Sequence, residues 1–442
     1  MGRPAGAFRK GTFAAGWATC FLFNIGWGLI FPLKNVFIHD QGIPLVLIGI
    51  LGTVSSVAFS LGSIALGRLS DSPGRRRLLL TSSLVIGSLA SLGYVLARAY
   101  SHFLTLVAVD MLMAGGYAVM VDTIVTSTLA EEGRGRGFGV YRISGSIGYA
   151  LAASQLGPLT RALGIRVVFI GGAIALLLAA LTALFMTEPR SDEGTSSRLG
   201  GHKHRNTLQL LIATGLLWLF ISEIVAVTGE SSAFPFMSIY LSEAMGATPG
   251  SIGFLATIRV LAEIPAMLGL GRLSDRYGRA PVLVLAFTSL TLSWLLAYWA
   301  TDLRLMYLAF PLAGLSIARY TVGVSLVSDR IPYNQRGTIL GLLSLSVGLG
   351  GFISPTVGGV IADNFGVRSV FFMAFAVDFL ALLLLWVGIR MGRLAPQASA
   401  GPIASDLANG SITLSGASAA DQAGNPLCTP DKGPVYPWRD NP

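Results

Sequence analysis

"GRLSDSPGRRR" fills Gly67–Arg77 and "GRLSDRYGRA" fills Gly271–Ala280, so one polar phrase occurs twice at a spacing of 204 residues. Each copy interrupts long apolar sequence. Of the 442 residues, 53% are hydrophobic and only 12% charged, about half the ~25% charge of ordinary soluble domains. Mean hydropathy is +0.67. The apolar residues come in blocks of about 20, the length an α-helix needs to cross a hydrocarbon core. Composition and block length together define an all-α membrane protein of many spans.

The blocks fall at 12–38, 44–67, 78–98, 103–128, 138–160 and 166–187, then at 207–241, 248–271, 281–300, 303–327, 338–360 and 369–390. These are twelve predicted spans in two sets of six, with halves at 1–187 and 207–390. The polar stretch 188–206 reads as a linker, and 391–442, rich in Gly, Ala, Ser and Pro, reads as a disordered tail. Most Lys and Arg lie at the N-terminus, in the two phrases, in the linker and in the loops after spans 4, 10 and 12. The opposite loops and span ends hold six: Lys34, Arg98, Arg161, Arg166, Arg304 and Arg368. The positive-inside rule then predicts cytoplasmic termini and linker in a protein of the cell membrane. On this reading the net charge of +9 is an orientation signal and nucleic acid is not a partner. Two cysteines, Cys20 and Cys428, form no disulfide or metal framework, and His202-Lys203-His204 has too few ligands for a metal. No HExxH, phosphate loop or GxSxG occurs, so an enzyme and a bound cofactor are not expected.

The repetition extends beyond the phrase. Phe31-Pro32 matches Phe234-Pro235, Gly49 matches Gly253, Arg136-Gly137 matches Arg336-Gly337, and "GIRVVF" (Gly164–Phe169) echoes "GVRSVFF" (Gly366–Phe372). Span 1 therefore corresponds to span 7, span 2 to span 8, and so on. Transporters built from such parallel halves bind substrate between them near the bilayer midplane. In the loop between the second and third span, the spacing G-x3-D-[RK]-x-G-[RK]-[RK] resembles the signature of the major facilitator superfamily. Its first copy is carried by Gly67, Asp71, Gly74, Arg75 and Arg76, with Ser72 where a basic residue is usual. Its second is carried by Gly271, Asp275, Gly278 and Arg279, with Ala280 as the departure. The resemblance covers about residues 10–390 and implies two six-helix bundles that rock about a central cavity lined by all spans except 3, 6, 9 and 12. It also implies that the phrase stabilises the outward-facing state. Physically, Gly67 admits a close helix approach, and Asp71 beside Arg75 and Arg76 suits a helix N-terminus of the other half. The alternative is a basic loop that only sets topology.

Charge at mid-bilayer costs about 2.5–3.5 kcal/mol on insertion scales and marks function by default. Asp110 and Asp122 (span 4), Arg142 (span 5), Glu223 and Glu230 (span 7), Arg259 and Glu263 (span 8) and Arg319 (span 10) all fall on predicted cavity helices. Asp378 (span 12) is the exception, without an evident role. Glu223 and Glu230 share a helix face, as do Arg259 and Glu263. Glu263 is the leading proton-carrier candidate, against a static ion pair that locks spans 8 and 10 together. Arg142 either contacts substrate or snorkels to the interface. Asp122 is placed to pair with Arg142 or Arg136, and Asp110 to line an outer vestibule. Asn24, Trp27 and Lys34 are cavity candidates on span 1. The expectation is a monomeric secondary transporter of a small organic solute, driven by the proton gradient. It leans to efflux of sugars or drug-like compounds through the short likeness of "LAEIPAMLGLGRLSDRYGR" to the eighth span of efflux members. Uptake symport, facilitated diffusion and a non-transporting sensor or scaffold remain the alternatives.

Overall fold

In lipid every backbone N–H and C=O must be satisfied within the span, which leaves helices as the solution for apolar blocks of this length. The computed structural model describes residues 5–70, 75–129, 134–187, 211–212, 214–331, 339, 342–343, 345–346 and 348–391, and every regular element among them is helical. The helices are α1 (Ala5–His39), α2 (Leu45–Ser70), α3 (Arg76–Leu96), α4 (Tyr100–Thr128) and α5, made of Arg134–Ser154 and Leu156–Leu163. There follow α6 (Ile165–Ala183), α7 (Leu216–Met245), α8 (Pro249–Tyr277), α9 (Arg279–Trp299), α10 (Leu303–Arg330), α11 (Ser354–Phe365) and α12 (Val367–Arg390). Ten are long and apolar enough to cross a membrane; α5, broken at Gln155 and rich in Gly and Ser, and the described part of α11 are the others. The pattern fits twelve spans. The linker 188–206, the tail beyond Met391, and Asp71 and Gly74 of the first phrase lie outside the described residues.

Local signals set the boundaries. Predicted to begin at 207, span 7 instead begins at Leu216, after Gly215 in left-handed conformation, and ends at Gly246 in the same conformation, a glycine C-cap. Thr248 caps α8, accepting from Ser251 N at 3.3 Å with Pro249 in the first turn, as helix starts prefer. Past Pro265, α8 makes one π-turn at Ala266–Leu270 before resuming. The echoed sequences at Gly164 and Gly366 are one backbone device used twice. Each glycine has φ near +80° (82° and 84°) and starts the last helix of its half.

The two halves pack alike. In the first, α1 packs on α5 and α6, α2 on α4, and α3 on α4 and α6; in the second, α7 packs on α11 and α12, α8 on α10, and α9 on α10 and α12. The closest α2–α4 approach is not at Gly67, where a Cβ would make an ordinary 3.4 Å contact with Val119. It lies deeper, where a Cβ on Gly62 would overlap the Leu112 carbonyl and one on Gly115 the Phe59 carbonyl.

Between halves the duplication appears as two related seams, α2 on α11 and α5 on α8. A Cβ on Gly49 would overlap Pro355 O, and one on Gly253 would overlap Ala153 O. Bonds crossing the seams include Thr53 to Thr356 (2.8 Å) and Thr257 Oγ1 to Ala150 O (3.1 Å), and between α1 and α7 Asn35 Nδ2 donates to Pro235 O (2.7 Å). Asp363 accepts from Leu45 N and Val46 N at 3.1 and 3.0 Å, one half's carboxylate on the other half's helix N-terminus. His39 Nε2 meets Glu243 Oε1 at 2.8 Å while its Nδ1 lies 2.8 Å from Ile43 O. All of these sit toward the end that carries the α1–α2 turn. By contrast, α4, Gly271–Tyr277 and Ala318–Arg330 make their extended helix contacts within their own halves. Among the described residues, the bonds between the halves thus gather at one end.

Gly49→Val is expected to force the closed seam apart. Spin labels at the exposed Gln41 and Thr248 should report a longer distance in the variant, while an unchanged distribution would show that the seam tolerates the side chain.

Candidate functional site

The charges that the sequence scatters over spans 7, 8 and 10 converge in the second half. Glu230 is the hub: its Oε2 accepts from Arg319 Nη2 at 2.8 Å and its Oε1 from Arg259 Nη2 at 3.3 Å. Arg259 Nε also lies 3.6 Å from Glu263 Oε1 in an i, i+4 pair. Arg319 Nη1 stands 4.0 Å from Glu223 Oε2, too far for a hydrogen bond. Glu230, Arg259 and Glu263 remain partly open, with side chains 22–24% exposed, whereas Glu223 and Arg319 are buried. The helix pair expected to be locked, α8 to α10, is instead joined through α7, because Glu230 stands between the two guanidiniums and Glu263 reaches only Arg259. The seven-residue spacing of Glu223 and Glu230 does place both on the Arg319 side.

Asp378 lies on α12 at 0% exposure, its field acts on Arg319, and it belongs with this cluster. A peripheral helix position concealed that from the sequence, since a side chain on α12 reaches Arg319 only if it points into the bundle. Four carboxylates therefore face two guanidiniums. Glu223 Oε2, Arg259 Nε, Arg319 Nε and Nη1 and both Asp378 oxygens are buried without a hydrogen-bond partner among the described residues. The network holds more acceptors and donors than it joins, so it can redistribute its bonds.

The first half separates its charges. Asp122 accepts from Arg142 Nη2 at 2.6 Å and from the Tyr141 hydroxyl at 3.1 Å. Asp110 does not line an outer vestibule. It is buried between helices, accepts from the Tyr94 hydroxyl at 3.1 Å, and borders a small cavity with Phe23, Gly87, Tyr117 and Leu176. Lys34, also buried, stands over the Phe31 ring at 5.5 Å and is the cation whose field reaches Asp110. Asn24 turns back to its own helix, donating to Cys20 O at 2.9 Å.

An aromatic ladder on α1 links the halves, and polarity-based reading passes over it. Phe23, Trp27 and Phe31 follow one another with centroids 5.4 and 5.2 Å apart. Phe31 then meets Phe234, its counterpart in the repeat, at 5.7 Å. Arg259 lies over the Phe234 ring at 5.0 Å, a cation–π arrangement, so the ladder ends at the charged network. A spacing of four from Phe23 to Trp27 to Phe31 was the available signal. Of the repeated phrase, Gly278 (φ 93°) begins α9 and Arg279 bonds Asp275 (2.5 Å), Asp329 (2.9 Å) and Ser274 (2.6 Å). This copy ties α8, α9 and α10 within one half. Arg75 is exposed at the start of α3.

A model of the MFS_1 like family matches residues 18–373. The chain belongs to the major facilitator superfamily. Among curated proteins, it is 26% identical over 396 residues to the multidrug resistance protein MdtG of Escherichia coli (strain 55989 / EAEC), a match covering 87% of this chain and 95% of MdtG. Among solved structures, the nucleoside transporter NupG superposes with a TM-score of 0.70 at 14% identity, covering 87% of this chain and all of that one. A bacterial homologue of the human lysosomal transporter Spinster, solved inward-facing and unoccupied, gives 0.68 at 16% identity, with 90% and 100% covered. The protein is a membrane transporter of the major facilitator fold.

Removing the shared acceptor tests the hub. Glu230→Gln should lower stability by about 1.5–3 kcal/mol for each charge-assisted bond it weakens, seen as a lower melting temperature in detergent. A melting temperature equal to wild type would mean the two arginines find other acceptors at no cost.

Proposed function

We propose that the protein is a proton-coupled exporter of small, drug-like organic solutes in the cell membrane, working by alternating access. The observation that carries this reading is the partly open Glu230–Arg259–Glu263 edge of a buried network that abuts the aromatic ladder. A carboxylate is held ionised by a nearby guanidinium and neutralised by desolvation. A network in which four carboxylates share two arginines can therefore exchange a proton for a change in conformation. The ladder offers flat apolar faces beside that charge, suiting amphipathic solutes better than densely hydroxylated ones. The likeness to MdtG over most of both chains favours export and a drug-like substrate over a sugar. With both termini assigned to the cytoplasm by the distribution of Lys and Arg, the closed end faces outward, and the cavity opens to the cytoplasm. That is the state expected to load solute from inside. The phrase at Gly271–Ala280 then acts as the brace of the second half during rocking, and Asp122–Arg142 as a charged pair near the cytoplasmic mouth of the first.

The test is reconstitution of the full chain in liposomes with a pH-sensitive dye enclosed. Sugars, nucleosides and cationic dyes such as ethidium are supplied in turn. Ethidium-dependent proton movement should appear in the wild type and be abolished in Glu263→Gln. Flux of a solute without proton movement, unchanged by Glu263→Gln, would instead make the protein a facilitator with Glu263 as a structural partner of Arg259.

A further inference from the structure

Asp378 stands where the fold's own duplicate says no charge is needed. The repeat offset of about 203 aligns Gly229 with Gly26 and Asp378 with Leu176. In the first half, a Cβ on Gly26 would lie 2.8 Å from Leu176 Cγ and 2.8 Å from Gly172 O; in the second, a Cβ on Gly229 would lie 2.6 Å from Asp378 Oδ1 and 3.1 Å from Ala374 O. The geometry is the same and the side chain differs. Leucine fills this niche where only packing is required, so the aspartate is present for something other than shape.

Its surroundings indicate what that is. The residue is fully buried, and neither carboxyl oxygen makes a hydrogen bond of ordinary geometry among the described residues, although the indole of Trp294 lies near enough to act on it as a donor. An ionised carboxylate left so would cost several kcal/mol, which the neutral acid avoids. The charged and titratable groups facing it are few. From α7 come Glu223 and Glu230, from α9 the buried indole of Trp294, which faces the carboxyl as a donor, and from α10 Arg319. The remaining neighbour, α11, brings only Asp363 in its described stretch, and that is engaged at the closed end. Arg319 keeps two donors, Nε and Nη1, free of hydrogen bonds.

We infer that Asp378, reached from the cavity through Arg319 and Glu230, is a proton-binding site of the transport cycle carried on a helix outside the cavity wall. The inference rests on the proton-coupled reading above. In the state described, the proton is on the Asp378 carboxyl and Arg319 bonds Glu230. When Arg319 swings its unused donors to Asp378, the O–H bond breaks and Asp378 becomes the anion. The proton passes to the Glu230 oxygen that Arg319 has just left, while Arg259 stays on the other oxygen of this partly exposed carboxylate. Charge is conserved at each step, and no group other than these three changes state.

The full chain in lipid nanodiscs tests this by infrared spectroscopy, with Asp378→Leu as the variant whose shape the first half already accommodates and Asp378→Asn as the isosteric one. Wild type at neutral pH should show the carbonyl band of a protonated carboxyl in apolar surroundings, and both variants should lose it. In liposomes, both variants should still bind ethidium yet lose the ethidium-driven proton signal. A band that survives in both variants, or variants that move protons as the wild type does, would overturn the assignment. Wild-type ethidium flux without any proton movement would sink the coupled reading itself, and with it a transport role for the Asp378 proton.

Discussion

A guanidinium cannot be deprotonated inside a protein, and Arg319 lies buried in the middle of a helix bundle. Everything near it follows from that constraint. The second half supplies Glu230 at 2.8 Å, Glu223 at 4.0 Å and the field of Asp378. Arg319 also spreads over the Phe287 ring at 5.5 Å. Because the cation is fixed in charge, only its partners can change theirs, and the number of carboxylates exceeds the number of cations. A transporter needs that imbalance: a fully matched network would be a strut, while one with spare acceptors has alternative bonded states of similar energy.

Much of the architecture was legible because lipid makes sequence simple. Apolar block length counts the spans, Lys and Arg mark one side, and the offset of 203–204 pairs Phe31 with Phe234 and Gly49 with Gly253 before any coordinates. The pairing proved spatial as well as sequential, since the Phe31 ring meets that of Phe234 and the two glycines mark equivalent seams. The charged candidates on spans 7, 8 and 10 were legible for the same reason, as each is costly in hydrocarbon. What escaped was direction. Whether Asp110 faces a vestibule or Tyr94, and whether Asp378 faces lipid or Arg319, depends on helix rotation, which low-contrast apolar spans do not encode. Gly67 misled in a related way: its place in the repeated phrase drew attention, while Gly62 and Gly115, unremarkable in sequence, bring α2 and α4 together.

The halves have diverged in how they treat charge. The first keeps its ions apart, with Asp110 near Lys34 and Tyr94 and with Asp122 bonded to Arg142 and Tyr141. The second gathers them into one network and adds Asp378 where the first has Leu176. The aromatic ladder of α1 has its counterweight in the acidic network, each half bringing a different chemistry to the place where Phe31 meets Phe234 and Arg259.

The seams at the closed end are built from Gly49, Gly253, Gly157, Gly250 and Gly359, from threonine hydroxyls and from a carboxylate on a helix N-terminus. Separation of such a surface uncovers backbone and small polar groups that water can solvate at once. At roughly 25 cal/mol for each Å² of apolar area uncovered, a seam of leucines would hold the halves shut. Ile48, Leu51, Leu156, Ile252 and Leu255 do join one buried cluster drawn from both halves, so the seam resembles a zip set into a core. Its glycines and small polar bonds let it part at a lower cost than leucines throughout, while each six-helix bundle stays intact.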